Sequence, residues 1–298
     1  ESLEMRLARV EDAAGARFWL LLHPNSSTGQ RINAPFSQWA GEINTGNMSA
    51  LDLSTTTLEQ DTFRLIAPVE PGARIFGVGL NYLSHLTRLG SAAPPHPLAY
   101  IKPDSAIVDP YGLIFYPAMT GELDYEIELV AVIGKPLGDA VAASSCVMGY
   151  TVGNDISARD AGRALGRLDL FTQKGMDCTT PVGPWITTLD QLGGGGQPQL
   201  DMRMTINGEV RQQDNTREMI FAVDELLNYL DARITLRPGD LVFTGSTHGV
   251  GLEDRRFLQS GDILEAHIEG IGMLRNEVGP QRILAQVRQA GRLGYPTV

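Results

Sequence analysis

Cysteine is nearly absent from this sequence. Its 298 residues include only Cys146 and Cys178, which excludes both a disulfide framework and a zinc site built from four thiolates. No two of the five histidines have the spacing of a zinc-binding pair either. Because both cysteines have small or apolar neighbours in the sequence, we interpret them as buried free thiols in a reducing compartment.

Long apolar segments and an excess of positive charge are absent too. The longest apolar runs, such as residues 18–22, are much shorter than a membrane-spanning helix. Residues 1–10 carry charged side chains from the start, unlike a secretory signal peptide, so we expect a cytoplasmic protein. The formal charge of −11 argues against nucleic acid or an anionic membrane as a partner. It does not exclude a small anionic ligand, since a local cation can outweigh the overall charge.

The composition that remains is that of an ordinary globular enzyme. Hydrophobic residues make up 43% of the chain and charged residues 20%, and this length is enough for one large and one small domain. A segment rich in proline and glycine at residues 67–72 separates two regions of different pattern. We therefore predict a small N-terminal domain at residues 1–70 and a main domain at residues 71–298.

Short strand-like segments separated by turn signals account for most of both domains. Strands are predicted at residues 5–10, 16–22, 74–78, 200–206, 241–244 and 263–268. Asn207-Gly208 is a strong hairpin signal, and residues 23–60 read as polar and irregular. One helix is predicted at residues 219–230, with Thr216 as its cap. Many strands and few helices favour the α+β class, mainly β, with a mixed β-roll as the main domain and a small α/β domain before it.

The most informative segment is residues 123–134, which read as a strand. Side chains alternate along a strand, so Asp124, Glu126 and Glu128 are predicted on one face. Two glutamates about 7 Å apart on one face repel each other unless a cation neutralises them. The alternative is a solvated strand face, but the strand continues as an uninterrupted apolar run, which indicates burial.

Asp155 is a third acidic residue in a suitable position. An apolar strand ends at the turn Gly153-Asn154-Asp155, and an acid at the end of a strand is well placed to line a site. Ser157 and Asp160 then predict the start of a helix, while the alternative role of Asp155 is that of a turn or cap residue. A set made only of carboxylates selects a hard cation, and Mg²⁺ or Mn²⁺ in octahedral coordination fits.

Several motifs in one order resemble the fumarylacetoacetate hydrolase family over roughly residues 74–278. They are Gly79-Leu80-Asn81-Tyr82, Ile101-Lys102-Pro103-Asp104-Ser105, Asp124-Tyr125-Glu126-Ile127-Glu128-Leu129, Asn154-Asp155, Ser157-Ala158-Arg159-Asp160, Lys174, Pro181-Val182-Gly183-Pro184, Asn207-Gly208-Glu209, Leu236-Arg237-Pro238-Gly239-Asp240 and Gly249-Val250-Gly251. No single motif is decisive, but so many in this order are highly specific.

The resemblance implies a function as well as a fold. It implies a β-roll that is usually a homodimer, Mg²⁺ or Mn²⁺ on Glu126, Glu128 and Asp155, and a small anionic 2-oxo or β-diketo acid as substrate. It implies catalytic roles for His85, on a lid helix, and for Lys174. Further positions that it implies for substrate binding are Tyr82, Lys102, Arg159 and Ser246.

Three departures from the family pattern affect the expected reaction. Arg88 stands where hydrolytic members have a glutamate three residues after the lid histidine, and its charge should lower the basicity of His85. Alternatively, the histidine's partner comes from elsewhere, and Arg88 binds a substrate carboxylate. Gly162 stands where the family has a glutamine, which removes an amide from the pocket. Gly245-Ser246-Thr247 replaces the usual Gly-Thr-Pro turn.

These observations leave three functional hypotheses. Hydrolysis of a C–C bond is the default for the family. Isomerisation, tautomerisation or decarboxylation on the same kind of substrate is the alternative, because Arg88 and Gly162 alter the machinery that activates water. A binding protein that keeps the metal but has lost catalysis is less favoured, since His85 and Lys174 remain.

Overall fold

The computed structural model describes residues 5–23 and 27–285, and strands dominate it. The strands are β1 (Arg6–Asp12), β2 (Arg17–Leu22), β3 (Thr28–Ile32), β4 (Leu53–Glu59), β5 (Phe63–Ile66), β6 (Ile75–Gly79), β7 (Leu98–Lys102), β8 (Ile107–Val108), β9 (Leu113–Pro117), β10 (Leu123–Asp124), β11 (Ile127–Ile133), β12 (Val147–Asn154), β13 (Ser157–Ala158), β14 (Thr180–Thr188), β15 (Asp201–Ile206), β16 (Glu209–Asn215), β17 (Leu241–Ser246), β18 (Ile263–Ile268) and β19 (Gly272–Arg282). The helices are α1 (Phe36–Trp39), α2 (Leu83–Leu89), α3 (Leu170–Lys174), α4 (Val223–Asp231) and α5 (Gly251–Asp254). The predicted mainly-β, mixed fold is confirmed.

The largest sheet runs in the order β4-β3-β2-β1-β14-β12-β11-β17-β6-β7, with β5 beside β1 and β8 beside β14. A second sheet runs in the order β16-β15-β18-β19-β9. Strand β11 is buried on both faces because each face contacts a different apolar core. Leu129 and Ala131 pack with residues of the second sheet, whereas Val130 and Val132 pack with the N-terminal segment. This double burial is what the uninterrupted apolar run predicted.

The N-terminal residues extend the large sheet. Strand β1 pairs with β14, where Arg6 lies opposite Thr187, and Trp39 packs edge-on against Trp19 and Phe36. The prediction of irregular structure at residues 23–60 is wrong for the part that contains β3, α1 and β4. Those elements form because their apolar side chains reach the same core as β11. The domain boundary at residue 70 stays a prediction.

Three local predictions have clear outcomes. The hairpin at Asn207-Gly208 is confirmed, and both residues have the positive φ (51° and 82°) that a tight hairpin turn requires. The helix predicted from residue 219 begins only at Val223. Thr216 does not cap it, because its hydroxyl donates to Pro198 O at 2.8 Å and accepts from Leu200 N at 2.9 Å.

The helix predicted after Asp155 is also wrong. Ser157–Ala158 is strand β13, which pairs with β10, and Asp160 caps only a three-residue turn by accepting from Ala161 N. Among the helices of residues 5–23 and 27–285, none has both the length and the apolar character needed to cross a membrane.

Candidate active site

Strand pairing brings the three predicted carboxylates together. Strands β11 and β12 are antiparallel with Ile127 opposite Asn154, so Glu126 and Asp155 lie at the same end of the pair. The backbone N–H of Asp155 donates to Glu126 O at 2.9 Å. Carboxylate oxygens of Glu126, Glu128 and Asp155 lie within 4.8 Å of one another, and all three residues are buried. The alternative of a solvated strand face is therefore wrong.

Asp124 does not join this cluster. The predicted single strand is interrupted at Tyr125 and Glu126, between β10 and β11. Its carboxylate accepts from Gly251 N at 2.6 Å and from Arg159 Nε at 2.9 Å. Arg159 also donates through Nη2 to Glu126 Oε1 at 2.6 Å. Asp124 thus orients Arg159, which in turn holds one carboxylate of the cluster.

Glu128 is the least satisfied member of the cluster. Its Oε2 accepts from Gly245 N at 2.8 Å, but its buried Oε1 has no hydrogen-bond partner among the described residues. Burial, together with the negative charges of Asp155 and Glu126, raises the pKa of Glu128 well above its usual value. A buried carboxylate oxygen without a partner, next to two further carboxylates, is the environment that a divalent cation stabilises.

Two lysines and a tyrosine surround Asp155. Lys174 Nζ lies 2.7 Å from Asp155 Oδ2 and 2.7 Å from Glu126 Oε2, while Lys102 and the Tyr100 hydroxyl donate to the same aspartate. Burial alone would raise the pKa of Asp155, but the two ammonium groups outweigh it and hold that pKa well below its usual range.

The charges of this region nearly balance. The four carboxylates of Asp124, Glu126, Glu128 and Asp155 face the three cations Lys102, Arg159 and Lys174, so full ionisation leaves one excess negative charge. A bound divalent cation would change this to one excess positive charge, which suits an anionic ligand.

A cavity of about 170 Å³ opens beside the cluster. Its polar lining comes from residues of six separate segments: His85, Tyr100, Glu126, Arg159, Arg163, Gln173, Lys174 and Ser246. Leucines make up most of the remaining wall: Leu80, Leu89, Leu98, Leu168, Leu170 and Leu252. The cavity therefore offers polar groups within a largely apolar enclosure.

His85 faces this cavity from α2 and is held by a carboxylate. Its Nδ1 lies 2.8 Å from Glu253 Oε1, and the imidazole and the carboxylate are both buried. Glu253 is itself fixed, because its Oε2 accepts from Gly249 N at 2.9 Å. An ionised carboxylate only accepts hydrogen bonds, so this contact favours the imidazole tautomer with the proton on Nδ1 and the lone pair on Nε2.

Comparison with known proteins agrees with this arrangement. Residues 74–279 match the C-terminal domain of fumarylacetoacetate (FAA) hydrolase. The chain belongs to the fumarylacetoacetate hydrolase family. The mitochondrial oxaloacetate tautomerase FAHD2A of Bos taurus is 34% identical over 77% of this chain and 74% of its own length.

Two solved structures of the family are similar along the chain. A 5-carboxymethyl-2-hydroxymuconate delta-isomerase from Mycobacterium smegmatis is 31% identical, with a TM-score of 0.77 over 93% of this chain and 100% of its own. The fumarylpyruvate hydrolase of Pseudomonas aeruginosa, in complex with Mn²⁺ and pyruvate, is 33% identical, with a TM-score of 0.62 over 73% and 92%. This chain is thus an enzyme of a family that includes tautomerases, isomerases and hydrolases.

Most of the predicted site residues lie together in the structure. His85, Arg159, Lys174 and Ser246 line the cavity with Glu126. The Ser246 hydroxyl, however, already donates to a backbone carbonyl, Ile127 O, at 2.7 Å. Its direct contact with substrate stays a prediction.

Three predicted substrate-binding residues do not line the cavity. Lys102 is fully enclosed and contacts Asp155, and Tyr82 is buried with its hydroxyl 3.8 Å from Met202 Sδ. Arg88 is exposed and borders a separate groove with Asp214. Contact of these three with substrate stays a prediction.

For two of the departures from the family pattern, a residue from another part of the chain supplies the missing group. Arg88, which stands in place of a glutamate, was expected to lower the basicity of His85. The carboxylate that contacts His85 comes instead from Glu253 on α5, so the alternative, a partner from elsewhere in the chain, is correct. Gly162 was expected to remove the family's amide at this position, but the amide of Gln173 lines the cavity. A Cβ on Gly162 would lie only 2.6 Å from the Cβ of Gln173.

Tyr100, Glu253 and Gln173 were not predicted from the sequence. Tyr100 had a local signal, since it lies two residues before Lys102 on the same strand and therefore on the same face. Gln173 also had a local signal, because it directly precedes the predicted catalytic residue Lys174. Glu253 had no such signal, because its partner His85 is 168 residues away in the chain.

Proposed function

We propose that this protein is a divalent-metal-dependent enzyme that transfers a proton at the carbon next to the oxo group of a small 2-oxo acid, as a tautomerase or an isomerase does. One observation carries the proposal: the His85–Glu253 pair opens onto the same small cavity as Glu126 and Lys174. Proton transfer next to a carbonyl needs a base at the carbon and positive charge near the oxygen. The cavity offers both.

The metal would be held by Glu126, Glu128 and Asp155. The three carboxylates and the unpartnered Oε1 of Glu128 fit a hard cation such as Mg²⁺ or Mn²⁺. When bound, such an ion would act as a Lewis acid toward the carboxylate and oxo oxygens of the substrate. The Mn²⁺ in the fumarylpyruvate hydrolase structure supports this assignment.

The chain's own residues supply the rest of the chemistry. His85 Nε2 takes the proton from the carbon, and the electrons of the C–H bond form the double bond of the enolate. Lys174 contributes positive charge beside the developing negative oxygen. His85 then returns the proton to oxygen, giving the enol, or to another carbon, giving an isomer. The leucine wall keeps water away from this intermediate.

Hydrolysis of a C–C bond is the second candidate. The His85–Glu253 pair can orient an imidazole that activates water, so this hypothesis no longer suffers from the presence of Arg88. The size of the cavity favours the first candidate. At about 170 Å³ it is smaller than sites of roughly 300–1,000 Å³ that hold drug-sized ligands, and hydrolysis must fit an acyl group and a water molecule together.

The two candidates give different products. With Mg²⁺ present, we expect the protein to accelerate enol–keto equilibration of oxaloacetate and to exchange its C3 protons in D₂O, as followed by ultraviolet absorbance and proton NMR. The mass of the substrate would be conserved. Release of two fragments from a 2,4-dioxo acid at a comparable rate would favour hydrolysis instead, and release of CO₂ would indicate decarboxylation.

Metal binding should be visible without any assay of activity. Adding Mn²⁺ or Mg²⁺ at about 100 times its dissociation constant stabilises the folded state by about 2.7 kcal/mol, which raises Tm by several degrees for a chain of this size. The Glu128→Gln variant should lose this rise, while the control Glu59→Gln, on an exposed position of β4, should keep it. A rise that survives in Glu128→Gln would remove Glu128 from the metal site.

The expected homodimer is part of the proposal as well. Exposed apolar side chains of Met119, Phe171 and Ile283 line one groove, and such a patch is typical of a protein–protein interface. Light scattering after size exclusion should give about twice the chain mass of 32.3 kDa. A mass of one chain at micromolar concentration would contradict it.

A further inference from the structure

The side chain of Gln173 is a polar group of the cavity that has no hydrogen-bond partner among residues 5–23 and 27–285. The residue is 6% exposed and lines the cavity, yet its amide makes no hydrogen bond with any residue in the described part of the chain. The amide is accessible from the cavity, so a ligand there can accept from its nitrogen or donate to its oxygen in place of water.

Gly162 is what makes room for this amide. A Cβ at residue 162 would lie 2.6 Å from Gln173 Cβ and 2.7 Å from Gln173 Oε1, and contacts this short do not occur in proteins. The turn that contains Gly162 is tied to α3, because Asp169 N donates to Gly162 O at 2.8 Å and the Asp169 carboxylate accepts from Thr172 N at 3.2 Å. The backbone of Gln173 is therefore fixed next to Gly162 by the cap of its helix.

The position of Gln173 separates it from the carboxylate cluster. Its neighbour Lys174 reaches Glu126 and Asp155. Consecutive residues of a helix point about 100° apart, so Gln173 borders a different part of the cavity, against Gly162. A 2-oxo acid bound through a cation on Glu126, Glu128 and Asp155 could place its other end in this second part of the cavity.

We propose that Gln173 is a specificity-determining residue that hydrogen-bonds the end of the substrate remote from the carboxylate cluster. This inference rests on the proposed function, since it takes the substrate to be a 2-oxo acid. An amide both donates and accepts, so it selects a second carboxylate or a carbonyl and rejects an alkyl end, which would leave it unpaired. The substrate class is thereby narrowed to 2-oxo dicarboxylates and 2,4-dioxo acids.

The test compares two acids that differ only at that end. Oxaloacetate carries a carboxylate where 2-oxobutyrate carries a methyl group. Calorimetric titration in the presence of Mg²⁺ should show that Gln173→Leu, which keeps the volume, weakens oxaloacetate binding about tenfold and changes 2-oxobutyrate binding less than about twofold. Gln38→Leu, at an exposed helical position, is the matched control and should change neither.

A second variant tests the same amide without removing it. Gly162→Ala should displace Gln173 and reproduce the selective loss of oxaloacetate binding, whereas Gly195→Ala, where a Cβ meets nothing within 4 Å, should not. Equal losses for both acids, or no loss in either variant, would overturn the assignment of Gln173. A wild-type protein that binds neither acid would instead contradict the proposed substrate class.

Discussion

Replacing Lys174 with methionine is expected to reduce kcat by about 100- to 1,000-fold, the loss typical when one group that stabilises developing negative charge is removed. Methionine keeps the length of the side chain but removes the ammonium group, which lies 2.7 Å from both Glu126 Oε2 and Asp155 Oδ2. KM should change less, because the cavity keeps its shape. Turnover of oxaloacetate enol at saturating substrate and Mg²⁺ measures the effect.

The competing explanation for Lys174 is a purely structural ion pair. Loss of one partner from a buried pair costs about 3–5 kcal/mol, so the unfolding temperature of Lys174→Met must be measured with Mg²⁺ bound. Lys135→Met is the matched control, since Lys135 is exposed. A variant that remains folded at the assay temperature and turns over at the wild-type rate would exclude Lys174 from the chemistry.

The carboxylate cluster could be predicted because its signals are local. Glu126 and Glu128 are two residues apart in a segment whose apolar continuation indicated burial, and Asp155 follows the next strand along the chain, which pairs with the first. The same reasoning missed the interruption of the strand at Tyr125 and Glu126. Periodicity carries no information about such an interruption.

Residues whose partners are remote in sequence could not be placed in the same way. Thr216 has the side chain of a helix cap, but Pro198 and Leu200 use its hydroxyl. Arg88 was assigned to the site through helical spacing from His85, yet it lies on the exposed side of α2. The glutamate that contacts His85 comes from α5. Tertiary contacts determine the surroundings of each of these residues, and the periodicity of strands and helices in the sequence does not predict such contacts.

The His85–Glu253 contact leads to the second large effect. Glu253→Gln is expected to reduce kcat by about 100- to 10,000-fold, the range associated with a general base, while KM stays close to the wild-type value. The amide of glutamine can donate to Nδ1, which moves the imidazole proton to Nε2 and leaves no lone pair facing the cavity. The residue that would touch the substrate is unchanged, but it is in the wrong tautomer.

Non-additivity separates this positioning role from a structural one. His85→Asn should cost about as much as Glu253→Gln, and the double variant should cost little more than either, because the two side chains act as one unit. Glu59→Gln controls for the chemical change at an exposed site. If the two losses instead multiply, or if Glu253→Gln raises KM and leaves kcat unchanged, Glu253 does not act through His85. His85 would then have to act as the base without Glu253, because Tyr100 is committed to Asp155 and Lys174 to two carboxylates.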